Sequence, residues 1–235
     1  MLQRKFDIVV KNHFPKAMDA KDTSIHYLGL MKNDYDIDIS KVLMATSVCS
    51  DDLNISSTSL FSILFGPFNM GGLGGFPFTG TTGMGAFAHH VPDNGTAFIL
   101  YGPHVGITLE GVLGEVSRPR MEKQGHSCGA LITVLKKFQD PGYELKIDET
   151  DYQLNMLEAM LQSKRKEIIN AADPVMAITE AAYQVIDRRI HENIEKQKSE
   201  FNVSKLVLLG CIIINTNYGL DDYFDPRNFE IIEIK

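Results

Sequence analysis

Tryptophan is absent from these 235 residues, and cysteine occurs only three times. Three cysteines in a chain this long do not make a disulfide framework, which excludes the small cross-linked secreted folds. Free thiols fit a reducing compartment, where they stay available for metal. Long apolar runs are also missing. The longest, Leu206 to Ile214, is interrupted by Gly210 and is too short to span a bilayer. The first residues, M-L-Q-R-K-F-D-I-V-V-K, are mixed in charge and carry neither a signal-peptide core nor a Ser/Arg-rich transit composition. A cytoplasmic setting, or an organellar stroma or matrix, is therefore expected, with no membrane partner. Cations are outnumbered. With 23 Lys and Arg against 30 Asp and Glu, the net charge of −7 argues against nucleic acid as a partner, since that needs clustered cations.

What is present fits one large α/β domain over residues 1–235, long enough for a full hydrophobic core. Residues 1–40 carry apolar positions at helical spacing (Phe6, Val9 and Val10, then Ile25, Leu28 and Met31) and predict two helices, the second capped by Asp22 or Thr23. Residues 41–140 read as the core that carries the chemistry. There, Lys41 to Val48 is a buried strand, Leu60 to Phe65 a short helix stopped by Gly66-Pro67, and Thr82 to His90 a helix ending before a Pro92-Asp93-Asn94-Gly95 turn. Strands follow at 96–102 and 112–117, then a helix from about Cys128 to Phe138. Residues 151–200 form two amphipathic helices broken at Asp173-Pro174. The last strands are expected in 205–235, at Lys205 to Asn215 and Phe229 to Ile234. Alternating strands and helices imply a central, mainly parallel β-sheet flanked by helices.

Cys49 follows the first apolar strand, and Ser50, Asp51, Asp52 and Asn54 make the turn after it polar. A polar turn at a strand's carboxyl end is where open α/β sheets place their ligands. Cys128 opens a helix, and a helix N-terminus favours the thiolate that metals bind. Between them His104 is held in Pro103-His104-Val105-Gly106, directly after the strand Ala97 to Tyr101. Two thiolates and an imidazole suit a tetrahedral zinc site with one open position. Asp51 is the carboxylate such a site would use to orient a metal-bound hydroxide. His126, two residues before Cys128, faces the same way on an extended segment and is a rival third ligand. Cys211 has only apolar neighbours and belongs to the core. His89 and His90 end a helix, where a capping or surface role is the plain expectation. The glycine-dense stretch 66–85 suits close approach by a ligand or another chain. It contains no G-x-x-x-x-G-K-[ST] and lacks the strand–turn–helix setting of G-x-G-x-x-G, so a nucleotide site is not indicated.

Five segments occur in order: Ser47-Val48-Cys49-x-Asp51-Asp52, Gly71-Gly72-Leu73-Gly74-Gly75-x-Pro77-Phe78-Thr79-Gly80, His89-His90-Val91-Pro92, Pro103-His104-Val105-Gly106 and Ser127-Cys128-Gly129-Ala130. Together they resemble the limiting-CO2-inducible protein B/C family of β-type carbonic anhydrases, directly over residues 40–140. The resemblance implies a β-carbonic-anhydrase-like fold and a Zn2+ held by Cys49, His104 and Cys128, with Asp51 as a gatekeeping carboxylate. It also implies an arginine beside that carboxylate. Conventional β-type enzymes carry it two residues after the carboxylate, where this chain has Leu53, so Arg118 is the substitute, with Arg120 behind it. The implied activity is reversible hydration of CO2 to bicarbonate and a proton, in a homodimer, with His89, His90 and His126 as candidate proton carriers. Silent members occur in the family, so a non-catalytic zinc-bearing scaffold or sensor of inorganic carbon is the competing expectation.

Overall fold

The structure is a computed structural model and describes residues 2–234. Its strands are β1 (Met18–Asp19), β2 (Val42–Ser47), β3 (Pro67–Asn69), β4 (Thr96–Tyr101), β5 (His104–Gly106), β6 (Glu115–Val116), β7 (Gly125–His126), β8 (Lys205–Asn215) and β9 (Tyr223–Glu233). The α-helices are α1 (Leu2–His13), α2 (Ala20–Gly29), α3 (Asn54–Ser57), α4 (Ser59–Phe65), α5 (Gly80–Ala88), α6 (Gly129–Gln139), α7 (Tyr152–Leu161), α8 (Arg165–Ile169) and α9 (Pro174–Gln197). The main sheet runs β1-β9-β8-β4-β2-β3, with β5 also paired to β8. Strands β3, β2, β4, β5 and β8 are parallel to their neighbours, while β9 and β1 close one edge antiparallel. The α/β architecture with a mainly parallel sheet between helices is the one the alternation implies.

Period-two alternation builds the layers. In β8, Leu206 and Leu208 enter the core on one face, and Val207, Leu209 and Cys211 enter it on the other. Helices α5 to α9 cover the first face through Phe87, Leu131, Leu157, Ile168 and Ile186. Helices α2 and α4 cover the second through Tyr27, Phe61 and Phe65. Helix α9 starts where Asp173 caps the amides of Val175 and Met176, with Pro174 in the first turn, where its missing N–H costs nothing.

Several expectations are corrected here. The cap of α2 is Asp19, not Asp22 or Thr23: Met18 and Asp19 first pair with β9, and the Asp19 carboxylate then accepts from Lys21 and Asp22 amides. Residues 112–117 do not join the main sheet: Leu113 makes a single bridge to Ile107, and Glu115–Val116 pairs with β7 in a separate two-stranded ribbon. Strand β9 starts six residues before Phe229, because its polar Asp225-Pro226-Arg227 segment hides a strand that shifts register opposite Gly210 and Cys211. The apolar stripes after residue 150 turn inward, with Leu154, Leu157, Leu161, Ile178 and Ile186 buried in one core with the chain's own sheet.

The glycine-dense stretch also turns inward. Met70 N–H donates to Thr46 O, and the Ser47 hydroxyl donates to Gly75 O at 2.9 Å. Gly75 has φ +85°, and a side chain there would strike the Gly102 carbonyl. Gly102 itself has φ +150°, and a side chain on it would collide with the Cys211 carbonyl. With Pro103 it separates β4 from β5 while both follow β8, and it delivers His104 to the end of the sheet. No helix among the described residues is long and apolar enough to cross a membrane.

Candidate metal centre

Three parallel features bring three donors to one end of the sheet. Strand β2 leads into Cys49, the β4–β5 break leads into His104, and Cys128 is the N-cap of α6. All three are buried, and their ligand atoms lie within 4.8 Å of one another. The Cys49 and Cys128 sulfurs are 3.7 Å apart. Two sulfurs at about 2.3 Å from a tetrahedral zinc would stand roughly 3.8 Å apart, so the spacing fits that ion. His104 Nε2 is fully buried and has no hydrogen-bond partner. A buried, unpartnered imidazole nitrogen beside two thiols is costly unless something accepts its lone pair, and a metal does so. The donor set therefore fits zinc.

The protonation pattern supports this. The Cys128 thiol is held below the ordinary thiol range, first by the bond from Cys49 and, against the cost of burial, by the backbone N–H groups of Leu131 and Ala130. Cys49 is pushed well above that range, by the proton it shares with Cys128 and by burial. Burial pulls His104 down, but the Cys49 sulfur and the Asn215 side chain outweigh it and leave the imidazole raised. Binding a divalent cation here must displace protons from the two thiols.

Asp51 lies close enough to act on both His104 and Cys128 electrostatically. Arg118 Nη2 donates to both of its oxygens, at 2.6 and 2.8 Å, and the Leu53 amide donates to Oδ1 at 3.1 Å. Arg118 Nη1 reaches Asp52 at 2.5 Å. Hydrogen bonding to that guanidinium holds the Asp52 carboxyl below its ordinary range. The side chain of Asp51 is only 14% exposed and that of Arg118 19%, so this fork is screened less than a surface pair. Arg118 therefore occupies the place beside Asp51 that Leu53 leaves vacant, and Arg120 is exposed and outside the pair.

Other sequence candidates fall elsewhere. His126 is exposed and its Nε2 sits 3.1 Å from Lys136 Nζ, so it is not among the clustered donors. Cys211 is wholly buried among apolar side chains. His89 and His90 follow α5, which ends near the amino ends of the parallel strands: His89 pairs with Glu200, just before β8, and the next turn bonds to Asn202 and Ser204. That is the far end of β4 from His104. Three polar residues that sequence reasoning missed stand behind the imidazole: Ser127, Asn215 and Asp222. The sequence signal for Asn215 and Asp222 is the polar N-T-N-Y-G-L-D-D turn between two apolar strands, and Ser127 stands in the Ser127-Cys128-Gly129-Ala130 segment.

A mainly parallel sheet whose carboxyl ends converge on two thiols and an imidazole defines the class, an α/β protein of β-carbonic-anhydrase type. Residues 20–233 match the model of the limiting CO2-inducible proteins B/C β carbonic anhydrases, and the chain belongs to that family. It is similar to the crystal structure of PtLCIB4, a homologue of the limiting CO2-inducible protein LCIB, at 30% identity and a TM-score of 0.88, covering 96% of this chain and 95% of that one. The crystal structure of LCIB itself shares the fold at 21% identity and a TM-score of 0.70, covering 95% and 97%. None of the curated proteins matches the chain.

Proposed function

We propose that this protein is a zinc-dependent carbonic anhydrase that interconverts CO2 and water with bicarbonate and a proton. The observation that carries the reading is a buried Cys49–His104–Cys128 donor set beside a carboxylate whose two oxygens are both held by Arg118. When bound there, zinc acts as a Lewis acid that lowers the pKa of a coordinated water from about 15.7 to roughly 7.

The residues of the chain do the rest. The carboxylate of Asp51 is an acceptor-only group, and the Arg118 fork holds both of its oxygens in place through Nη2. With zinc held by Cys49, His104 and Cys128, a remaining lone pair of Asp51 would accept a hydrogen bond from the nucleophilic water and orient it toward CO2. The same fork keeps the carboxylate from swinging onto the metal and closing the site. The product proton leaves toward solvent, and His126 is the imidazole exposed on this side of the sheet.

Isotope exchange of oxygen between CO2 and water, measured on zinc-loaded protein, tests the proposal. Exchange should exceed the uncatalysed rate and rise between pH ~7 and ~9, because only the deprotonated nucleophile attacks. A flat baseline across that range would favour the silent scaffold or sensor instead.

The active form is proposed to be a homodimer. Ile55, Ile63 and Leu64 stand 72%, 81% and 50% exposed on α3 and α4, beside the open edge strand β3. An uncovered aliphatic cluster at a sheet edge is the kind of surface a two-fold interface covers. Light scattering at micromolar protein should return twice the chain mass of 26.2 kDa. A clean monomer mass would remove the dimer from the proposal.

A further inference from the structure

Behind the candidate metal centre a chain of hydrogen bonds has a fixed direction. Asp222 sits in the turn between β8 and β9 with its side chain half-buried; burial pushes its carboxyl above the ordinary range, against three donors that pull it down. It accepts from the Thr216 amide at 2.9 Å, the Ser57 hydroxyl at 2.6 Å and the Asn215 Nδ2 amide at 3.2 Å. On its other side, Asn215 Oδ1 lies 2.7 Å from His104 Nδ1 and accepts from the Ser127 hydroxyl at 3.0 Å. Having given its one hydrogen to Asn215, the Ser127 oxygen, also 3.0 Å from Nδ1, faces that nitrogen as an acceptor. Asn215 and His104 are both fully buried, so neither can turn to water instead.

The polarity follows from donor and acceptor inventories. An ionised carboxylate can only accept, so it draws the amino end of Asn215 toward itself. Asn215 must then present its carbonyl oxygen to His104. A carbonyl oxygen accepts but cannot donate, so it selects the imidazole that carries a proton on Nδ1. Nε2 is left as the nitrogen free to bind a cation, and it is the buried atom that lacks a partner. The outer partner of a ligating histidine fixes its tautomer and ring orientation in this way.

We infer that Asp222 and Asn215 are positioning residues for the metal centre: the Asp222 carboxylate sets the orientation of the Asn215 amide, which sets the tautomer and aim of His104. The inference rests on the zinc reading above but extends it to two residues that touch neither metal nor substrate. Ser57 carries the chain further, because it ties α3, the short helix after Asp51 and Asp52, to the same carboxylate.

The test uses the full-length chain labelled with 15N, stripped of metal, together with its Asp222→Asn variant. In the unsubstituted protein, His104 Nδ1 should carry a proton that exchanges slowly with solvent. A bare Nδ1 would overturn the inference, and this measurement needs neither zinc nor a variant. In Asp222→Asn the acceptor-only constraint is gone, so Asn215 can turn over. The Nδ1 proton signal should weaken or exchange faster, and zinc affinity measured against a competing chelator should fall roughly 10- to 100-fold. A folded variant with unchanged zinc affinity and an unchanged Nδ1 signal would overturn it. A protected Nδ1 proton in a chain that binds no zinc would leave the inference standing and sink the zinc reading instead.

Discussion

Cys49→Ser protein should emerge without zinc. A serine hydroxyl does not ionise near neutral pH and is a poor substitute for a thiolate, and no other described side chain in the cluster can replace it. If a bound zinc contributes an apparent ~10–16 kcal/mol shared over three or four ligands, each ligand carries about 3–4 kcal/mol, on the order of several hundredfold in affinity. Cys128→Ser should lose as much, because Cys128 is the more acidic of the paired thiols and sits at the start of α6. Cys211→Ser is the control. It should keep its zinc and cost only the ~1–3 kcal/mol of an unpartnered hydroxyl in an apolar strand. Metal analysis on the three purified variants decides the matter, and stoichiometric zinc on Cys49→Ser would show the cluster to be misassigned.

The second large effect separates holding the metal from using it. Asp51→Ala should bind zinc like the parent and lose at least about 100-fold in turnover, since it removes an orienting acceptor and leaves the donors in place. Arg118→Ala should come close to the same loss by another route. It releases both oxygens of Asp51 and leaves that carboxylate able to reach the open position. Arg118→Lys should recover only part, because a single ammonium cannot span Asp51 and Asp52 as the two guanidinium nitrogens do. Exchange assays paired with metal analysis on each preparation provide the check. Near-parental exchange by Asp51→Ala would rule out the orienting role.

The cluster of candidate donors was legible because each donor borders an element that hydrophobic patterning can find. Cys49 follows β2, His104 follows β4 and Cys128 begins α6, so locating the elements located the donors. Asp51 came with Cys49 through its place in the polar turn. Arg118 was harder, since nothing local ties residue 118 to residue 51, and only the empty slot at Leu53 called for an arginine from elsewhere. Asn215 and Asp222 left almost no trace, because a polar partner behind a site has neither periodicity nor motif; Ser127 stood in a quoted segment, but nothing there tied it to His104. The roles of His89 and His90 as proton carriers failed on direction: a helix packed along a sheet starts at one end and finishes at the other. Strand β9 was cut short because proline and charge at Asp225-Pro226-Arg227 break its pattern while a register shift accommodates them.

The fork that grips Asp51 is supplied from the β6–β7 loop, 67 positions away along the chain. Trigger and latch are thus inherited as separate parts. A small deletion in that exposed loop would leave every donor to the metal in place, along with the sheet and its helices, and would remove only the latch. On the proposed reading, a metal-loaded but idle variant lies one short loop edit from a working one, and metal content alone would not tell them apart.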